Sequence, residues 1–207
     1  MARREPSRVK TGAGPARSHQ ALRISGGDWR GRRLNFPIIE GLRPSLAQNR
    51  ERLFNWLQYD IAGRSVLDAF AGSGILGLEA LSRRAGRVDF VERNAQAAQA
   101  IRSHMKTLQA SGQVHQADFF QWLQQAEGPY ELVLLDPPFA DMTFQRALDA
   151  VAAASAVADG ALVYLETPAG FAPQWPTGWV SVKHARKGRI EQHVWRARHG
   201  DSTQEQS

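Results

Sequence analysis

Leu134-Leu135-Asp136-Pro137-Pro138-Phe139 places a carboxylate, two prolines and an aromatic ring directly after an apolar run. Two prolines stiffen the segment and remove two backbone N–H donors. The Asp136 carboxylate and the Pro137 carbonyl remain as acceptors, with the ring of Phe139 beside them. This set suits a planar base carrying an exocyclic amine: the amine donates both hydrogens and the ring stacks on the base. Holding both N–H bonds aims the nitrogen lone pair at an electrophile, so the chemistry would be an in-line displacement achieved largely by positioning. Asp136 is the candidate for any proton acceptance.

A second constellation lies upstream. Val66-Leu67-Asp68-Ala69-Phe70-Ala71-Gly72-Ser73-Gly74-Ile75-Leu76-Gly77 contains G-x-G-x-x-G between an expected strand and an expected helix. Gly72 and Gly74 permit a tight turn and a close approach of backbone to ligand. Glu92 follows 20 residues after Gly72, where a carboxylate can accept from a ribose diol. Together these point to an adenosine-containing cofactor. A dinucleotide would bring a pyrophosphate, which Asp68 would repel. The same carboxylate suits the cationic amino group of S-adenosyl-L-methionine. Asp118 is positioned to accept from an adenine amino group with Phe119 against the ring, or else to cap the next helix. Residues alone leave three activities open: amine methylation of guanine, N6 methylation of adenine in RNA or DNA, and NAD-dependent hydride transfer.

These residues need a scaffold that delivers them to one edge. Apolar periodicity predicts strands at Ser65–Phe70, Arg87–Glu92, Gln113–Ala117, Tyr130–Asp136 and Ala161–Glu166. Helices are expected between them, one capped by Asn94. A final hairpin is expected from Val180–His184 and Ile190–Arg196 around Lys187-Gly188. Such alternation builds an α/β fold, a mostly parallel sheet covered on both faces, with ligands at the carboxyl ends of its strands. Before it, Leu22 to Phe36 reads as a small β-hairpin or extended arm. Ser45 is expected to cap a helix whose Leu46, Leu53, Phe54 and Leu57 face the core. The expected organisation is a flexible basic arm over 1–20, a hairpin-and-helix extension over 21–60, a catalytic domain over 61–198 and a polar tail over 199–207.

Charge is unevenly spread. Residues 1–52 carry 12 Lys/Arg and 4 Asp/Glu, while the remainder carries 14 and 16. A basic segment beside a near-neutral domain suggests a polyanionic partner. Trp29, Arg30, Arg32 and Arg33 lie in this segment, as do Arg43 and Arg50. The chain has no cysteine, which excludes disulfides, thiolate metal sites and cysteine nucleophiles. Its histidines show no metal-ligand spacing, so no metal is expected. No apolar run approaches the length of a membrane span.

The chain resembles the class I S-adenosylmethionine-dependent methyltransferases and, more narrowly, the RsmD family, which methylates guanine N2 in 16S rRNA. The likeness is carried by Arg23-Ile24-Ser25-Gly26-Gly27-Asp28-Trp29-Arg30-Gly31-Arg32, Gly41-Leu42-Arg43-Pro44-Ser45, Asn49-Arg50-Glu51-Arg52-Leu53-Phe54-Asn55, the Asp68–Gly77 loop and Asp136–Phe139. The first three segments separate this family from other enzymes with the Asp-Pro-Pro-Phe loop. The resemblance implies a Rossmann-like, seven-stranded sheet of order 3-2-1-4-5-7-6. It also implies cofactor contacts at Asp68, Gly72, Glu92 and Asp118, target-base contacts at Asp136, Pro137 and Phe139, and RNA contacts at Arg30, Arg32 and Arg33 with Trp29, joined by Arg43 and Arg50. A cytoplasmic monomer acting on guanine 966, in an assembled or assembling 30S subunit, is the implied context. Leu46 and Ala47 stand where the family pattern leads one to expect a hydroxyl residue and an acid.

Overall fold

The computed structural model describes residues 19–40, 45–139 and 142–198. Strands β1 (His19–Arg23) and β2 (Arg33–Pro37) form the antiparallel hairpin, with Leu22 opposite Leu34. Period-two alternation turns Leu22, Leu34 and Phe36 inward and leaves Arg23, Arg33 and Asn35 exposed. β1 begins within the segment expected to be a flexible arm; the rest of that arm, the tail and Arg43 lie outside the described residues.

The main sheet runs β5 (Gly112–His115), β4 (Arg87–Val91), β3 (Ser65–Asp68), β6 (Tyr130–Leu135), β7 (Val157–Pro168), β9 (Ile190–Arg196), β8 (Val180–Lys187). Numbered from β3 as the first strand, this is the order 3-2-1-4-5-7-6. β5, β4, β3, β6 and β7 are mutually parallel, and β9 is antiparallel to both its neighbours. Successive residues of β6 serve opposite faces. Leu132 and Leu134 join the core under α1 (Ala47–Trp56), α2 (Ile75–Ser82) and α3 (Ala95–Leu108). Val133 and Leu135 join the core under α4 (Phe119–Leu123) and α5 (Phe144–Ala153). The hairpin's Leu22, Ile24, Leu34 and Phe36 belong to the first of these cores, so it packs as part of the domain's own interior.

The Gly26-Gly27 turn explains how the hairpin is fixed. Gly27 has φ +74°, and a Cβ there would lie 1.8 Å from the Ser82 carbonyl oxygen. Only glycine fits both the left-handed backbone and this approach. The contact lets Asp28 N–H donate to Ser82 O at 2.7 Å and Trp29 N–H donate to Ser82 Oγ at 2.9 Å. The C-terminal end of α2 is thereby clasped to the hairpin.

Two details of α1 depart from expectation. Ser45 does not cap it: Leu46 occupies the N-cap, with no side-chain cap. Leu46 itself is 62% exposed, while Leu53, Phe54 and Leu57 are buried as expected. The apolar stripe starts later because Leu46, at the N-cap, has extended backbone and lies outside the helix.

Candidate active site

The strand order reverses between β3 and β6, the switch point at whose carboxyl ends open α/β sheets carry their ligand crevice. β3 ends at Asp68, which is buried. Asp68 Oδ2 accepts from Gly77 N–H at 2.9 Å, across the first turn of α2. Gly72 (φ +53°) donates its N–H to Glu92 Oε2 at 2.7 Å. Glu92 Oε1 accepts from Asn94 N–H at 2.7 Å. Glu92 therefore holds the glycine turn as well as facing the crevice, and each oxygen retains a lone pair for a ligand. Gly74 (φ +73°) leads into α2, and a Cβ there would press to 2.8 Å from Ile101. Both glycines are demanded by backbone geometry, which leaves a small-residue turn open to close approach.

Asp136 follows β6, half-buried. β3 pairs with β6 so that Asp68 lies opposite Leu134, two residues before Asp136. Ser45 Oγ donates to Asp136 Oδ2 at 2.5 Å. Arg50 in turn donates to the Ser45 carbonyl at 2.8 Å, fixing the serine. One carboxylate oxygen is thus tied down, and among the described residues the other has no hydrogen-bond donor. Phe139 is exposed, and its edge-to-face contact with Phe144, at 5.5 Å between centroids, props it from behind.

Acidic groups crowd this crevice. Burial pushes Asp68 up to about 7; its bond from Gly77 opposes this, and the charges of Asp136 and Glu92 add to it. Burial also raises Asp136, while the Ser45 hydroxyl works against that rise. Glu166, near the end of β7, is pushed up to about 7 by burial and by the charge of Asp136. Glu92 is raised chiefly by its own burial. Replacing Ser45 by Ala removes a donor that favours ionised Asp136, so the carboxyl pKa should rise further. If ionised Asp136 is the active form, the acid limb of the kcat/KM profile moves to higher pH in Ser45→Ala, and turnover at neutral pH falls. A pH–rate series checks this; an unmoved limb would remove Ser45 from the site.

Glu166 was not among the residues singled out from sequence. Its Oε2 accepts from Tyr164 OH at 2.8 Å and from Asn49 Nδ2 at 3.4 Å. Gln192 donates to Tyr164 OH at 2.7 Å and to Asn49 O at 3.1 Å. The network joins α1, β7 and β9 beneath Asp136. Its one sequence signal is a charged residue ending the apolar stretch Ala161 to Leu165.

The remaining expected residues divide. Asp118 Oδ1 accepts from Phe120 N–H and Gln121 N–H, capping α4. Phe119 is buried against Phe70, 4.7 Å between centroids, so its ring is occupied by the core. Arg30, Arg32 and Arg33 are all exposed on the hairpin. Arg50, expected on the RNA surface, is instead buried: it donates to Ser45 O and Arg23 O and lies 3.5 Å from Glu79 Oε1. Its charge is consumed by an internal carboxylate and cannot meet a phosphate.

With this geometry in view, likeness to known proteins is informative. The family model described as "Conserved hypothetical protein 95" matches residues 22–196. Ribosomal RNA small subunit methyltransferase D of Escherichia coli (strain K12) is 35% identical over 176 residues, 84% of this chain and 89% of that one. The protein of the same name from Haemophilus influenzae is 34% identical over 179 residues, 84% of this chain and 93% of that one. The solved structure of yhhF from Escherichia coli superposes with a TM-score of 0.80 at 33% identity, covering 86% of this chain and 99% of the other. On the strength of the family match and of identity sustained across most of both chains, this protein belongs to the ribosomal RNA small subunit methyltransferase D family.

Proposed function

We propose that this methyltransferase transfers a methyl group from S-adenosyl-L-methionine to the exocyclic N2 amine of a guanine in 16S rRNA. The observation that carries the reading is Asp136: a half-buried carboxylate at the sheet's switch point, one oxygen held by Ser45 and an exposed aromatic three residues on.

The crevice fits that cofactor by its chemistry. Mutually repelling carboxylates at Asp68, Glu92 and Asp136 would be relieved by a cation and aggravated by a pyrophosphate. Asp68 would hold the amino group, Glu92 the ribose, and the Gly72–Gly74 turn would admit close approach. Asp118 retains a free carboxylate oxygen for adenine beside its capping bonds, while Phe119 supports that position from the core. When bound, the cofactor supplies an electrophilic sulfonium methyl.

The chain's own residues do the rest. Asp136, ionised, accepts one hydrogen of the amine, and the Pro137 carbonyl accepts the other. This pyramidalises the nitrogen and directs its lone pair. Phe139 lies against the base and excludes water from one face. The proton that becomes surplus once the N–C bond has formed leaves to Asp136 or to solvent. A base extruded from its stack can reach this crevice, and unpaired rRNA makes that extrusion inexpensive.

Arg30, Arg32 and Arg33 would grip the RNA backbone. In the Arg-to-Ala triple variant, the slope of log affinity against log salt should flatten by about 2–3 units. An unchanged slope would place the RNA surface elsewhere. The reaction itself is tested with labelled S-adenosyl-L-methionine and either naked 16S rRNA, 30S particles or duplex DNA, followed by nucleoside analysis. Label in N2-methylguanosine is expected. Label confined to N6-methyladenosine would overturn the guanine assignment, and tight NAD binding without transfer would overturn the reaction class. The RNA arms decide whether a ribosomal particle is required.

A further inference from the structure

On the face of β9 opposite Gln192, the antiparallel register of β8 and β9 sets His184 directly opposite His193. The period-two alternation of β9 brings Glu191 to the same face. The two imidazole rings lie 4.7 Å apart at 21°. Glu191 Oε2 is 3.2 Å from His184 Nε2 and 4.0 Å from His193 Nε2. One donor atom from each residue lies within 4.8 Å of the others, the one such grouping among the described residues. We propose that His184, Glu191 and His193 form a binding site for a divalent transition-metal ion of the zinc type.

The spacing fits such an ion. Bonds of about 2.0–2.2 Å in tetrahedral geometry put donors roughly 3.3 Å apart. The His184–Glu191 pair already meets this, and the remaining separations need only a small inward swing. His184 supplies that freedom, because its side chain is 50% exposed on the edge strand. Glu191 and His193 are largely buried and preset. Gly170 N–H donates to Glu191 Oε1 at 3.2 Å, so Oε2 is the oxygen presented to the two imidazoles. Such outer contacts orient ligands. Two imidazoles and one carboxylate favour zinc, cobalt, nickel or copper over magnesium or calcium. Three protein donors beside solvent leave a fourth position for water.

An ion here would join β8, β9 and the Gly170 backbone. The segment after Gly170 carries Phe171, which packs on Phe144 at 5.2 Å, and Phe144 in turn backs Phe139. The site would thus steady the support of the exposed ring without touching the crevice. It stands independently of the substrate assigned above.

The test uses the full chain without an affinity tag, stripped of metal, titrated with zinc chloride by calorimetry and with cobalt chloride by visible absorption. One equivalent per chain is expected, with cobalt d–d bands of low-symmetry coordination and a zinc-dependent rise in melting temperature. His184→Ala, His193→Ala and Glu191→Gln should each weaken binding by about 100-fold or more. His184→Ala carries the decision if the buried variants fold poorly, since its side chain sits outside the core. His104→Ala and His115→Ala should bind as the unaltered protein does. Absence of saturable uptake, or one-equivalent uptake unchanged in His184→Ala and His193→Ala, would reduce the trio to a hydrogen-bonded surface pair and overturn the site.

Discussion

Asp136→Ala should reduce methyl transfer by roughly 10²- to 10⁴-fold while cofactor affinity stays close to that of the unaltered protein. The separation follows from where the carboxylate sits. Asp136 touches the cofactor-side residues only through charge: it raises Asp68, whereas the hydrogen bonds that shape the cofactor turn come from Asp68 to Gly77 and from Glu92 to Gly72. Its own bond is to Ser45, on the opposite wall. Removing it deletes the acceptor for the amine and leaves the turn intact. Asp136→Asn sharpens the test, because it keeps shape but places an N–H₂ donor or a weaker carbonyl where the anion was. Single-turnover rates and equilibrium binding of labelled cofactor check both halves. Equal losses in rate and in cofactor affinity would show that Asp136 belongs to the cofactor cradle.

The second large effect concerns folding. Glu79 is fully buried in α2, between Leu78 and Ala80. It accepts from Ser25 N–H at 2.6 Å, pairs with Arg83, and lies 3.5 Å from Arg50 Nε. Glu79→Ala leaves the Arg50 guanidinium buried without its counterion and the Ser25 N–H without an acceptor. Breaking a buried pair from one side costs about 3–5 kcal/mol. In a domain of this size that lowers the melting temperature by roughly 6–20 °C. Arg83 escapes part of the penalty by reaching solvent; Arg50 cannot, being held by Ser45 and Arg23. Because Arg50 also orients Ser45, the surviving folded protein should lose activity too. Urea and thermal unfolding check the prediction, and a loss below about 1 kcal/mol would show that the pair is dispensable.

These two residues also mark the boundary of what the sequence discloses. The alternation of strands and helices and the placing of Asp68, Gly72, Glu92 and Asp136 at strand ends were legible, because periodicity and glycine spacing are local signals read along one segment; the order of the strands followed from the family resemblance alone. Asn94 capping α3 through Ala97 N–H was legible for the same reason. Partners distant in sequence were not. Ser45 has the composition and position of a helix cap, yet its hydroxyl meets a carboxylate 91 residues away. Arg50 carries the charge of an RNA contact, yet a buried glutamate in the next helix claims it. Glu79 lies in an apolar helical stretch that gives no hint of two arginines converging on it. Glu166 and Gln192 become a site wall only when β7 and β9 pair. His184 and His193 have no ligand spacing along the chain; strand register alone makes them neighbours.

Helix α2 has a consequence that reaches beyond its own packing. It begins at the Gly74 turn and ends at Ser82, where the Gly26–Trp29 segment is hooked on. Eight residues at about 1.5 Å each make a rod of roughly 12 Å. On the proposed function, the rod is one of the supports that set the distance between the exposed arginines of the hairpin and the glycine turn. One residue more or fewer in α2 would move Ser82 by about 1.5 Å and turn it through about 100°, which would break its bonds from Asp28 and Trp29 while the apolar face of the hairpin stays in the core.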